Sequence, residues 1–265
     1  MNDASEQRFG GIARLYGVDG LALFQRSHVA VIGIGGVGSW AAEALARSGV
    51  GEITLIDLDD LCVTNINRQI HALSSTIGQS KVAVMAERIR EINPDCLVHE
   101  VEAFASRDNL DQLLHPGLDY VIDAIDSVPE KAALIAWCKR HKVAVITIGG
   151  AGGQIDPTLI RVADLTRVCA DPLAAKVRAT LRRHYHFSRS GRRFAVECVY
   201  SQEQLRYPQP DGSVGQRKSV LANGTRLDCA GGFGATSVVT ASFGFVAVAR
   251  VLAKLQQRAA REQTA

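Results

Sequence analysis

The stretch that most constrains this chain is the apolar run His28–Gly35 (HVAVIGIG), which passes into Gly36-Val37-Gly38 and then into a helical pattern over residues 37–49. A continuous run of this kind reads as a strand buried on both faces. The helical pattern stops at Gly49, a common residue just past a helix C-terminus. Strand, glycine turn and helix in that order open a doubly wound α/β domain. Gly33, Gly35, Gly36 and Gly38 let phosphate approach the backbone, and the helix N-terminus beyond them offers N–H groups to an anion. Asp57 closes the next apolar run, EITLIDLD (52–59), 19 residues after Gly38. A carboxylate there accepts hydrogen bonds from both ribose hydroxyls. These residues specify an adenine nucleotide and leave NAD and ATP both open.

The same alternation continues to Gly150. Helical patterns cover 80–94 and 129–142, and strand patterns cover 96–103, 119–126 and 143–150. Beyond them come a strand over 158–163, a helix over 172–185, a strand over 193–201 and a long polar loop over 202–235. The predicted fold class is α/β and Rossmann-like, a mainly parallel sheet with helices on both faces and a C-terminal substrate-binding extension. At 265 residues, 47% hydrophobic and 22% charged, the chain fits a single domain. Residues 26–150 form its nucleotide-binding core, and 151–265 its substrate-binding and dimerisation part.

Residues 237–255 are largely apolar, but Arg250 and Lys254 interrupt them. That favours a buried or dimer-interface helix over a membrane span and leaves a peripheral membrane contact open. The first residues lack an apolar signal-peptide core, and no two cysteines form a Cys-x-x-Cys pair. A reduced, cytoplasmic protein without a zinc knuckle is expected. A net charge of +3 decides nothing about partners.

An ordered set after Asp57 separates the two nucleotides: Asp59, Asn65, Asn67-Arg68-Gln69, Lys81 and Asp126-Ser127. Arginine offers phosphate a planar fork, lysine a compact charge, and a carboxylate suits magnesium. NAD has no triphosphate to engage such a set. Singly, Arg68 and Lys81 also read as solvated charges and Asp126 as a helix cap. In order and spacing, residues 8–150 resemble the ubiquitin-activating-like superfamily, which includes the sulfur-carrier adenylating enzymes of molybdopterin and thiamine synthesis. The resemblance implies that Asp57 holds the ribose and that Arg68 and Lys81 hold the triphosphate. It implies that Asp126 holds Mg2+ near the reacting phosphate, so that Arg68, Lys81 and Asp126 carry catalysis. It also implies a homodimer in which an N-terminal arginine reaches the partner's phosphate. Arg8 and Phe9 match that pattern, Gly11 stands where a second arginine is expected, and Arg14 is the candidate replacement.

Between Pro172 and Val196 there are seven Lys or Arg and no Asp or Glu. Lys176, Arg178, Arg182, Arg183, Arg192 and Arg193 are the candidate RNA contacts, with Tyr185, Phe187 and two histidines available to stack on a base. A solvated helix face is the plainer reading. Together with the glycine loop, the stretches DPLAAKVR (171–178), VECVYS (196–201) and LDCAGGFGATSVVTASFGFVAV (227–248) are similar to the tRNA threonylcarbamoyladenosine dehydratase family. That resemblance implies ATP-dependent adenylation of the free threonyl carboxylate on a tRNA carrying threonylcarbamoyladenosine. An atom of the neighbouring carbamoyl unit then attacks, AMP leaves, a five-membered ring closes, and one water is lost overall. Intramolecular attack has a high effective concentration and needs no protein nucleophile. Cys229, just before a glycine-rich stretch, is the one candidate reactive thiol, although packing is the commoner role. The family context adds a possible cysteine desulfurase partner. The alternative functions are an adenylyltransferase for a small sulfur-carrier protein, an NAD-dependent oxidoreductase and a nucleotide-sensing module without turnover. The paired zinc cysteines of the carrier-activating relatives are missing here.

Overall fold

The computed structural model describes residues 3–217 and 233–264. Two helices, α1 (Asp3–Tyr16) and α2 (Val18–Gln25), precede the sheet. The nucleotide-core half then runs β1 (His28–Ile32), α3 (Gly38–Arg47), β2 (Glu52–Ile56), α4 (Lys81–Ile92), β3 (Leu97–Val101), α5 (Leu110–Leu113), β4 (Tyr120–Asp123), α6 (Val128–His141) and β5 (Ala144–Ile148). After it come β6 (Ile160–Asp164), α7 (Pro172–His184), β7 (Glu197–Ser201), the short hairpin β8 (Tyr207–Pro208) and β9 (Val214–Gly215), and α8 (Ser237–Thr264).

The seven-stranded sheet has the order β3-β2-β1-β4-β5-β7-β6. Every pairing is parallel except β6 with β7. The chain winds outward from β1 through β2 to β3, then returns to place β4 on the other side of β1. Strand order reverses between β1 and β4, and their carboxyl ends open a crevice there, the position where doubly wound sheets bind ligands. β1, β2 and β4 lie inside the sheet, which is why they read as unbroken apolar runs rather than alternating ones.

One face of the sheet carries α3, α4 and α8, with Val29, Val31, Leu45, Met85, Phe243 and Val251 in its core. The other carries α5, α6 and α7, with Ile32, Val121, Leu134, Trp137, Leu181 and Phe194. Helices on both faces of a mainly parallel sheet agree with the sequence expectation.

The 28 residues of α8 span about 42 Å. The helix runs antiparallel to the parallel strands. Thr240 reaches the segment after β2, while Arg258 lies 3.8 Å from Asp119, just ahead of β4. Val239, Phe243, Ala247, Val251 and Leu255, four residues apart, form a buried stripe. The backbone approaches α3 closely at Gly244, where a Cβ would lie 2.8 Å from the Val37 carbonyl. Arg250 grips Glu197 at the start of β7 with two hydrogen bonds, and Lys254 adds a contact of 3.6 Å. By length and composition this helix is apolar enough to cross a membrane. Its apolar stripe is nonetheless spent on the sheet, and the two cations that interrupt it are anchors to β7. The buried-helix expectation is met.

Three local expectations are revised. α1 and α2 were not visible as an apolar pattern, because α1 is polar apart from anchors such as Phe9, which is buried against Leu21 and Gly49. The strand expected over 193–201 begins only at Glu197, since Ala195 takes a left-handed backbone (φ 53°) and Phe194 turns into the core. The loop expected over 202–235 contains the β8–β9 hairpin.

Candidate nucleotide site

The loop after β1 is set by backbone crowding. Gly33 has φ +89°, and a Cβ there would lie 2.9 Å from the Ala124 carbonyl at the end of β4. A Cβ on Gly38 would fall 1.8 Å from the Gly33 carbonyl, which no side chain survives. A left-handed turn and a close return are what glycine permits. The space next to Gly35 is open, with nothing within 4 Å of a Cβ position. Asp57 ties this loop to the end of β2. Its Oδ2 accepts a 2.6 Å hydrogen bond from Ile34 N–H and its Oδ1 a 2.9 Å bond from Asp59 N–H. Burial pushes the Asp57 carboxyl above the ordinary aspartate range, opposed mainly by nearby Lys81.

The segment after β2 folds over the glycine loop. The Arg68 side chain lies across it, its Cγ and Cδ 3.3 Å from a Cβ position on Gly36. One guanidinium nitrogen donates to Thr64 O and to Asn67 Oδ1. The Arg68 carbonyl accepts from Trp40 Nε1 at 2.9 Å, and Thr240 Oγ1 lies 3.4 Å away, so α3 and α8 both hold this residue. Asn67 Nδ2 donates to Ala235 O, and Gly153 N–H donates to Gly234 O. Residues 234–235 thereby bridge the loops that follow β2 and β5. Lys81, buried at the start of α4, pairs with Asp59 at 2.7 Å and lies 4.0 Å from Asp57.

Asn65 and Gln69 turn inward. Asn65 is buried and its Oδ1 accepts the backbone N–H of Cys62, which fixes the turn ahead of Arg68. Gln69 is buried, and its Oε1 has no partner. Nearby His71 is 1% exposed with neither ring nitrogen bonded. Burial, reinforced by Lys81 and Arg88, lowers its pKa to about 4.

On the β4 side, Asp126 is exposed, and its carboxylate has no hydrogen bond or ion pair among the described residues. The helix-cap reading passes to Ser127, the N-cap of α6, whose hydroxyl bonds Glu130. Sequence reasoning missed Lys131. This side chain is 1% exposed, 3.1 Å from Asp123 Oδ1, and donates to the carbonyls of Asp123 and Ile125. Asp123, fully buried, also accepts 2.6 Å from Thr147. The ammonium therefore holds the last turn before Asp126. A lysine on the buried face of an apolar helix was the available signal.

The basic stretch divides. Lys176, Arg183, Arg192 and Arg193 are exposed. Arg178 donates to the carbonyls of Leu165 and Val168, and Arg182 lies over the Phe194 ring, so these two hold the fold. Phe187 packs edge-on against Phe194, and Tyr185 packs on the same core, so both rings are partly buried. Asp171, capping α7, accepts from Gly150 N–H at the crevice end of β5. From there α7 leads away for about 20 Å, carrying Arg183 toward the far end of the sheet. Arg14 is also distant from the crevice. It lies exposed on α1, whose Phe9 packs beside Gly49 at the amino end of β2. Cys229 lies outside the described residues.

Comparison with known proteins settles which nucleotide fold this is. The ThiF family model matches residues 10–265. The tRNA threonylcarbamoyladenosine dehydratase of Escherichia coli K12 is 56% identical over 99% of this chain and 98% of its own length. The protein of that name from Haemophilus influenzae is 54% identical over 97% and 96%. This chain belongs to the ThiF family, in its tRNA threonylcarbamoyladenosine dehydratase branch. A crystal structure of the E. coli dehydratase in complex with ATP superposes with a TM-score of 0.88 at 54% identity, covering 98% of both chains. A molybdopterin-synthase adenylyltransferase, by contrast, is 34% identical over only 51% of the chain, which favours the dehydratase reading over the carrier-activating one.

Two measurements test this geometry. Lys131→Met should destabilise the fold by about 3–5 kcal/mol in urea titration, because it strands the buried Asp123 carboxylate. Adding Asp123→Asn should restore much of that loss, and strict additivity would show that the pair is not coupled. His71 stays neutral in the folded protein down to about pH 4, whereas the unfolded chain takes up a proton near pH 6.5. Its contribution is full above pH 6.5 and lost as pH falls toward 4, amounting to about 3 kcal/mol. His71→Leu should flatten that part of the stability–pH curve.

Proposed function

We propose that this chain uses ATP to adenylate the threonyl carboxylate of tRNA threonylcarbamoyladenosine and closes it into a ring with loss of one water. The observation that carries the reading is the gathering of Asp57, Arg68, Lys81 and Asp126 around the glycine loop, in a chain that aligns end to end with the dehydratases. A nucleotide laid along Gly35 meets the Asp57 carboxylate at its ribose. Each Asp57 oxygen already accepts one N–H, and a second lone pair on each remains for the hydroxyls. Arg68 has its Nε and second terminal nitrogen left for phosphate oxygens. Lys81, shared between Asp57 and Asp59, supplies positive charge at the floor of the crevice.

The threonyl carboxylate attacks the α-phosphate and pyrophosphate leaves. An atom of the carbamoyl unit then attacks the acyl carbonyl and AMP leaves. Arg68 and Lys81 offset the charge that builds on the phosphates, and bound reactants supply the proximity. The free carboxylate of Asp126 suits magnesium, which takes one or two carboxylates together with phosphates and, when bound, neutralises phosphate charge. Asn67 orients Arg68 and the 234–235 bridge. Ser127 sets the start of α6 beside Asp126.

For the tRNA, Arg183, Arg192 and Arg193 form an exposed cationic surface separated from the crevice by much of the length of α7, with Lys176 exposed one turn into that helix. That separation suits a large substrate whose backbone is held away from its reacting base. Arg14 reaches a nucleotide only if it belongs to a second copy of the chain, which is the homodimer expected for the family. We place the enzyme in the cytoplasm with its tRNA. A desulfurase partner rests on family context alone, and the buried stripe of α8 is occupied by the sheet while Val238 and Phe245 stand exposed on its outer side.

The test is pyrophosphate release from ATP and magnesium with and without the modified tRNA. Release that requires this tRNA, with the nucleoside losing the mass of one water, is expected, and Asp126→Ala should abolish it. Release with a small carrier protein instead would overturn the reading. Replacing Arg183, Arg192 and Arg193 with alanine should raise the apparent KM for tRNA and flatten its salt dependence by about 2 units of log–log slope. An unchanged slope would move the tRNA to another surface.

A further inference from the structure

The amino ends of β1, β2 and β3 bring together a cluster that the adenylation chemistry does not use. His28 Nδ1 lies 3.2 Å from Glu52 Oε1, and His99 Nε2 lies 2.8 Å from the same oxygen. One ligand atom from each of the three residues falls within 4.8 Å of the others. Strand register explains the meeting. His28 pairs with Glu52 across β1–β2, and His99 pairs with Thr54 across β2–β3, so the three side chains share one face of the sheet.

We propose that His28, Glu52 and His99 bind a divalent transition metal of the zinc class. Two imidazoles and a carboxylate are a donor set of that class, and hard oxygen-seeking cations such as magnesium or calcium do not select it. A tetrahedral zinc with bonds of about 2.1 Å spaces its ligand atoms about 3.4 Å apart. The two contacts, at 3.2 and 2.8 Å, reach that spacing by opening about 0.2 and 0.6 Å. His28 is pre-oriented, since its other ring nitrogen lies 2.8 Å from Thr54 Oγ1, the outer hydrogen bond that fixes a ligating imidazole.

The remaining titratable groups around His28 are His115, with ring centroids 5.3 Å apart, and Asp119, which accepts the His28 backbone N–H at 3.0 Å. Glu52 and Asp119 supply negative charge beside His28, and His115 lies exposed next to it. His99 and Glu52 are part-exposed, so an ion enters from solvent. The cluster opens at the start of β1 and the glycine loop at its end, about 16 Å apart along the strand. The metal would therefore tie three strands together without touching the phosphates.

The experiment measures zinc retained after desalting, and Tm, for the full chain treated with zinc chloride at pH 7.5. One equivalent of zinc is expected, with Tm raised by about 5 °C when free zinc is 100-fold above its Kd. Magnesium or calcium should give no rise. His99→Gln, at a part-exposed edge position, should fold and lose both the zinc and the Tm rise, and Glu52→Gln should do the same. Tm without added metal and tRNA-dependent pyrophosphate release should change little in either variant. No retained zinc in the unsubstituted protein would leave a hydrogen-bonded triad only and overturn the proposal. Zinc retained equally by both variants would place the metal elsewhere and overturn it as well.

Discussion

The site depends on one carboxylate holding a tight glycine turn. Asp57, at the end of β2, accepts the Ile34 N–H at 2.6 Å and fixes a loop whose course is already narrowed by the contact between Gly33 and Gly38. Backbone crowding leaves the loop few alternatives, and the carboxylate selects among them. Burial raises the free energy of the charged Asp57, which stays in place because backbone N–H groups and Lys81 compensate it. In the proposed function the residue that structures this loop is also the one that receives the ribose, a form of preorganisation.

Three separate elements then converge on Arg68. α3 holds its carbonyl through Trp40, α8 approaches it through Thr240, and Asn67 connects it to residues 234–235. Across the crevice, the Lys131–Asp123 pair organises the turn that ends at Asp126. A buried ion pair is a poor source of net stability, but it positions carbonyls well when every polar atom is used. The described geometry therefore has a rigid floor of strand ends and glycine turn, with phosphate-binding candidates supplied by segments anchored elsewhere. Such an arrangement suits chemistry in which alignment and charge neutralisation do the work.

Much of this was legible in the sequence. The buried strands were continuous apolar runs, and the glycine spacing with Asp57 located the crevice before any coordinates. Arg68, Lys81 and Asp126 stood out as charges suited to a triphosphate, and the fold brings their segments to one end of the sheet. What escaped were residues whose roles come from tertiary placement. Asn65 also caps the Cys62 N–H, and only the fold shows which way an amide turns. Lys131 looked like one charge among several on α6, and Phe187 like a stacking ring rather than a partner of Phe194. The distance between the α7 arginines and the crevice was also invisible, since a composition window carries no direction.

The central claim is that ATP activates the substrate carboxylate at the α-phosphate. The most direct measurement labels the threonyl carboxylate of the modified tRNA with oxygen-18 and follows the label through one turnover. Attack at the α-phosphate predicts one labelled oxygen in the phosphate of AMP, with pyrophosphate unlabelled. Label in inorganic phosphate, with ADP as the nucleotide product, would mean transfer of the γ-phosphoryl group and would contradict the account.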